Sequence, residues 1–408
     1  MHRARYRGPL CTVFSCWLLA ANAGWTQTDV EADKDYVQRF RQAFKKVEPA
    51  PSIETYVSPG RYDELYLGEN LKQALDRLNN NQGNIAWGLA YRMMSLNEMF
   101  RHTKDPKYLD ANLECIRAVM AVRDDKTGLQ TWTGVVAPAW SSDKYAKRGR
   151  AVFGVHTGMI TYPMLDFLAL AKQQPDYLAK LGVEFQAILA SAQEALAYHD
   201  RQWHDGPGDG EGYYIMMDQE DGTDGKIKPG NRLSALGRAL WTSWKVSGNT
   251  VHRDRARAIG TYMKQRLTPA PDGAYYWGYW LPLEPVKDPS PRESIGGEDT
   301  SHAGLTLTLP LMLASEGEVF DAADMKRLGN TVLKGFGRLG GGVLFGDITG
   351  KPESNPGLVA IPAKWLPLAQ YVPEVRPAIV DFYLNYVAIP GPLDIALLLE
   401  YGKAKAAS

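Results

Sequence analysis

Asn84-Ile85-Ala86-Trp87-Gly88-Leu89-Ala90-Tyr91-Arg92-Met93-Met94-Ser95-Leu96-Asn97-Glu98-Met99-Phe100 has the composition of a helix that is apolar on most of its surface. It runs into Thr103-Lys104-Asp105-Pro106-Lys107-Tyr108-Leu109, a short turn, and then into a second helical pattern through Val122. The unit recurs along the chain. Residues 150–171 lead through Gln174-Pro175-Asp176-Tyr177-Leu178 to a helix ending near 198, and 231–246 lead through Ser247-Gly248-Asn249 to one ending near 267. Residues 302–314 are followed by 322–336, residues 362–371 by 376–386, and 393–401 form a last helix. Two more helices, 33–46 and 69–78, stand near the front. Short turns force antiparallel neighbours. The first helix of each pair is rich in Ala, Gly, Leu, Trp and Met, and the second carries more Lys, Arg, Glu and Gln. An inner wall and an outer ring have that asymmetry. The pattern predicts an all-α chain folded as an (α/α)6 or (α/α)7 toroid.

The loops between pairs, 124–149, 201–230, 268–297 and 337–360, are long and all precede inner helices. They should gather on one face, around helix N-termini whose free N–H groups suit a carboxylate-bearing ligand. Residues at those helix starts form the candidate site. They are Asn84 and Trp87, His156 and Tyr162 with Trp140 in the preceding loop, Asn231 and Arg232, then Glu298, Asp299 and His302, and finally Lys364 and Trp365. The densest chemistry lies in Gly296-Gly297-Glu298-Asp299-Thr300-Ser301-His302-Ala303-Gly304, where Glu298 and His302 share a helical face. Upstream, Tyr275-Tyr276-Trp277-Gly278-Tyr279-Trp280 offers flat surfaces for sugar rings, and Tyr214 is a further candidate. Simpler readings compete at several positions. Asn84, Asn231 and Asp299 are good helix caps, and Trp87 and Trp365 read as core ahead of a stacking surface.

Arginines at 3, 5 and 7 precede an apolar run and the small residues Ala21-Asn22-Ala23, as in a cleavable secretory signal spanning 1–23. Residues 24–408 are expected to form a single catalytic domain without a membrane anchor, secreted or periplasmic. The chain has 46 basic and 46 acidic residues, and loss of three arginines with the signal leaves −3. No basic excess exists to attract nucleic acid. Cys115 would be the only mature cysteine, so no internal disulfide can form. Zinc spacings, phosphate loops, dinucleotide fingerprints and nucleophile elbows are absent from the sequence. No cofactor or metal is expected to take part in the chemistry. The acidic loops 205–211 and 218–225 lack EF-hand spacing; turns are the expected reading, with a structural Ca²⁺ as the alternative.

The helical hairpins, the signal-like start, Asp272-Gly273-Ala274-Tyr275-Tyr276-Trp277-Gly278-Tyr279-Trp280 and Gly297-Glu298-Asp299-Thr300-Ser301-His302-Ala303-Gly304 together resemble the (α/α)-toroid polysaccharide lyases acting on alginate or glucuronan. The resemblance implies β-elimination on an anionic, 4-linked uronic-acid polysaccharide. A Tyr or His would take the C5 proton and a Tyr or His would protonate the leaving oxygen. On this reading His156 and His302 flank the reacting sugar, Tyr276 is the donor or acceptor, and Arg232 and Glu298 meet the carboxylate. Asn84, Trp87, Trp140, Tyr162, Tyr214, Asn231, Trp277 and Asp299 bind substrate. Many such lyases carry an Asn-His pair on an inner helix, and this chain has none. A glycoside hydrolase or a uronyl C5-epimerase on the same scaffold, or a non-catalytic glycan-binding protein, are the alternatives.

Overall fold

The computed structural model describes residues 27–218 and 223–403. The expected signal segment lies outside the described residues. Helices α1 (Gln27–Ala43) and α2 (Pro59–Tyr66) open the chain, and α3 (Ala90–Thr103) continues a π-helical turn over Ile85–Leu89. Then come α4 (Lys107–Ala121), α5 (Gly154–Lys172), α6 (Glu184–Ala197), α7 (Gly230–Ser247) and α8 (Thr250–Lys264). Further along stand α9 (Thr300–Thr306), α10 (Thr308–Ser315), α11 (Ala322–Asn330), a 3-10 helix over Pro362–Gln370, α12 (Val375–Tyr386) and α13 (Pro392–Tyr401), and short helical turns such as Glu69–Leu75 fill the loops.

The inner helices pack side to side in a closed circuit. In order these are α3, α5, α7, α9 with α10, the 362–370 helix and α13, which returns to α3. Outside them, α4 packs on α3, α6 on α5, α8 on α7, α11 on α10, and α12 on the 362–370 helix. The sixth outer position is filled from the front of the chain by α2, which packs on α13 and α3. Among the described residues six hairpin units therefore close the ring, which is the (α/α)6 form of the expected toroid.

Local sequence explains the division of labour. Helix α5 carries only Asp166 and Lys172 as charged residues, and nearly all its side chains are buried. A helix apolar on every side must be surrounded by other elements. Helix α8 buries one stripe, His252, Ala256, Ile259, Gly260, Tyr262 and Met263, and leaves its other residues half-buried or exposed. The turn between α7 and α8 works because Gly248 adopts φ 78° and Asn249 then caps α8, accepting from the N–H groups of Val251 and His252. Two short hairpins stand in the long loops, Trp203–Asp205 paired with Gly212–Tyr214 and Thr268–Pro269 paired with Tyr275–Tyr276.

Stripes from all six inner helices face the axis. Tyr91, Met94, Glu98 and Arg101 of α3 follow helical spacing, as do Leu393, Leu397 and Tyr401 of α13. Between these walls lies a lumen of about 350 Å³. Among the described residues no helix is long and apolar enough to cross a membrane.

Candidate active site

The glycine pair before α9 is placed by steric need. A Cβ on Gly297 would overlap the Asp347 carboxylate. The following residues are clamped between two loops. The Glu298 N–H donates to the Trp277 carbonyl at 2.9 Å, and the Glu298 carbonyl accepts from the Ile348 N–H at 3.1 Å. Asp299 then caps α9, accepting from the His302 N–H at 3.0 Å. Its other oxygen binds Nδ1 of His302. Burial works to raise the Asp299 carboxyl, but the hydrogen bonds and charge of His302 outweigh it and hold the group below the usual carboxylate range. The His302 side chain is 43% exposed, so its Nε2 edge faces solvent while Asp299 fixes the other edge.

His302 is one end of an arc. Its ring lies edge-on to Tyr279 at 5.1 Å. Arg232 neighbours the Tyr279 hydroxyl, and its guanidinium stands 5.4 Å above the ring of Tyr145. Tyr145 in turn contacts His156 at 5.7 Å, and Trp87 meets His156 edge-on at 5.6 Å. The N-terminal ends of α3, α5, α7 and α9 thus share one strip of aromatic, imidazole and guanidinium groups. Burial raises the Tyr279 and Tyr145 hydroxyls, so both are neutral donors near neutral pH.

The two histidines differ in kind. His156 is fully buried, and desolvation, aided by Arg232 and Lys144, pushes it down to about 3. It is a neutral imidazole at any working pH. Its Nδ1 faces the Asn80 amide at 3.5 Å, and its Nε2 has no partner. Asn80 also accepts from the N–H groups of Ile85 and Ala86, which makes it the group that opens the α3 wall.

Glu298 is wholly enclosed. One oxygen accepts from Trp277 Nε1 at 2.6 Å and from Thr306 Oγ1 at 2.7 Å, and the other has no partner. Desolvation pushes the carboxyl up to about 8, so it is protonated at neutral pH. Trp277 stacks on Trp365, with ring centroids 6.3 Å apart.

Other candidates fall elsewhere. Tyr276 is not in the arc. Successive residues of an extended strand face opposite sides, so with Trp277 turned toward Glu298, Tyr276 points away and donates to Asp272 at 3.0 Å. Tyr214 is buried edge-on against Trp203, and Trp140 is core, its Nε1 donating to the Val119 carbonyl at 2.8 Å. Tyr162 lines the lumen, with Arg238 over its ring at 4.2 Å. Asn231 is buried with Oδ1 unpartnered. Asn84 is exposed; it and Trp87 line a second cavity of about 530 Å³ between α3 and the start of α13. Among the described residues no cluster of three or more His, Cys, Asp or Glu could hold a metal. In the two loops weighed for calcium, the Glu211 carboxylate is taken by Arg266 and Asp218 pairs with Arg201, and residues 219–222 lie outside the described residues.

Sequence reasoning missed Tyr145, Asn80 and the buried Lys228. Among the described residues the Lys228 ammonium has no hydrogen-bond partner, and desolvation, with Arg232 nearby and only Asp224 opposing, pushes it down to about 7. None of the three belongs to a spaced motif. Tyr279 was visible within the aromatic run, but only the hairpin geometry separates it from Tyr276.

No protein-family model matches the chain, and no curated protein matches it. Among solved structures it is similar to the GH76A alpha-1,6-mannanase from Salegentibacter sp. HEL1_6, at 12% identity and TM-score 0.44, over 91% of this chain and 98% of that one. An inactive variant of that enzyme in complex with alpha-1,6-mannotriose gives 12% identity and TM-score 0.46 over the same shares. A D-mannose isomerase gives 13% and 0.44, over 86% of this chain and 84% of that one. All three likenesses are distant.

Proposed function

We propose that the chain is a carbohydrate-active enzyme working by proton transfer at the rim of the toroid. We assign its reaction as β-elimination on a 4-linked uronic-acid polysaccharide of the alginate or glucuronan type. The observation that carries this reading is the Asp299–His302 pair, an oriented imidazole with one edge in solvent, set beside Tyr279 and Arg232. Asp299 holds the Nδ1 proton, leaving Nε2 to take the C5 proton and stabilising the imidazolium that forms. Electrons of the broken C–H bond become the new C4–C5 double bond, and the C4–O bond breaks. Tyr279, a neutral hydroxyl beside a guanidinium, supplies the proton to the departing oxygen. A secreted or periplasmic setting and a single catalytic domain over 24–408 belong to the same proposal.

Hydrolysis is the second reading, and one observation favours it. Glu298 carries its proton at neutral pH, as a general acid must. A hydrolase also needs a second carboxyl group, roughly 5–9.5 Å away, flanking the scissile bond. Glu298 is enclosed and Asp299 is committed to His302, which supports elimination over hydrolysis. The test is product analysis on uronic-acid polymers. Unsaturated ends accompanying each new reducing end support elimination; reducing ends without a double bond, lost in Glu298→Gln, move the assignment to hydrolysis.

A further inference from the structure

Beneath the rim, the lumen wall carries two cations that, among the described residues, have no carboxylate in ion-pair contact. Arg238, from the middle of α7, is 4% exposed, and Lys364, from the first turn of the 362–370 helix, is 7% exposed. The Arg238 Nε is enclosed and unpartnered, and its Nη2 meets only the sulfur of Met159, at 2.9 Å. The Lys364 ammonium donates to the Ser301 carbonyl at 3.3 Å, immediately before His302. Among the described residues no carboxylate lies within ion-pair distance of either. The contrast within the same cavity is sharp, because Arg101 at the far end is paired with both Glu98 and Asp166. Asp394 and Asp299 act on Lys364, and Asp166 on Arg238, from beyond contact distance, and a buried charge with no contact partner is costly unless a ligand supplies one.

Aromatic faces accompany the cations. Tyr162 lies under Arg238, and Lys364 stands 5.7 Å over the ring of Tyr91. A lumen of about 350 Å³ is at the small end of the roughly 300–1,000 Å³ typical of small-molecule pockets. We propose that the upper lumen is a carboxylate-binding subsite. Arg238 and Lys364 hold the acid group of a single uronic-acid unit whose ring lies against Tyr91 and Tyr162. The planar guanidinium can grip the carboxylate through two N–H groups, and the ammonium adds a point charge. This inference deepens the proposed function and rests on it for the identity of the sugar.

Calorimetric titration of the purified chain with glucuronate, glucose and inorganic phosphate tests the subsite. Glucuronate is expected to bind in clear preference to glucose. Arg238→Met and Lys364→Met should each weaken glucuronate on the order of 30-fold or more, the lower end for losing one partner of a buried charge pair. Arg238→Lys should keep part of the affinity. Thermal melts control for folding, since replacing an unpaired buried charge with Met is expected to leave the midpoint unchanged or raised. Equal binding of glucose and glucuronate, no binding of either, or wild-type glucuronate affinity in Arg238→Met would each overturn the inference. So would Arg238-dependent binding of phosphate in place of glucuronate. Arg238-dependent glucuronate binding by a chain that forms no unsaturated product would leave the subsite standing and remove only the elimination reading.

Discussion

His302 and Asp299 stand three positions apart in the first turn of α9, and one carboxylate does two jobs there. It caps the helix and it orients the imidazole. Substitution can separate the two. Asn is as good a cap as Asp, so Asp299→Asn should keep the fold yet lose the charge that supports an imidazolium. His302→Ala and Asp299→Asn are each expected to lower kcat by roughly 10²–10⁴-fold, measured at saturating substrate, with circular dichroism confirming the fold. Glu298 makes a prediction about pH. Its folded pKa, about 8, lies well above the 4.5 of an ordinary glutamate. The folded state therefore holds a proton that the unfolded chain has released, and the stability this gives is lost as pH rises from the unfolded value through about 8. Urea unfolding of Glu298→Gln across that window should show a flatter decline than wild type; parallel curves would place the pH dependence elsewhere.

Helix packing is set by a few close approaches. Helices α5 and α7 cross where a Cβ on Gly158 would fall 2.5 Å from the Ala235 backbone. Neither backbone can give way without moving a wall of the ring. Gly158→Ala should therefore cost about 1–3 kcal/mol as an overpacking change. Gly88, in the π-helical turn before α3, has nothing within 4 Å of its added Cβ. Gly88→Ala is expected to be neutral or stabilising by up to about 1 kcal/mol. Chemical denaturation of the two variants side by side checks the pair. At this scale the sequence was informative because short turns and paired helical patterns are local. It was less informative at boundaries: 302–314 is two helices meeting at Leu307, and 362–370 is a 3-10 helix containing Pro367. Tertiary contacts, not propensity, hold those segments helical.

Ring closure belongs to the whole molecule. The last inner helix, α13, is covered by α2 from the front of the chain, a pairing that no local pattern announces, which is why six and seven units read alike in the sequence. Residues of the candidate site were legible where they sat at helix starts, as His156, Arg232, Asp299 and His302 do. Those delivered by loops, such as Tyr145, or by the inward face of a helix centre, such as Arg238, required the closed ring to bring them together. The loops that build the rim are anchored by the Arg266–Glu211 pair, in which both side chains are fully buried. Arg266 also donates to the Pro282 carbonyl at 3.3 Å, tying the 201–230 and 268–297 loops to the end of α8. Arg266→Met strands a buried carboxylate and should cost about 3–5 kcal/mol, read as a lower urea midpoint.

The most direct test of the account is to incubate the purified chain, its His302→Ala variant and alginate or glucuronan while following ultraviolet absorbance of the unsaturated uronide and the number of reducing ends. Both should rise together with the wild-type chain, and neither with His302→Ala. Reducing ends without the chromophore, no product from any uronic-acid polymer, or undiminished turnover in His302→Ala would contradict it.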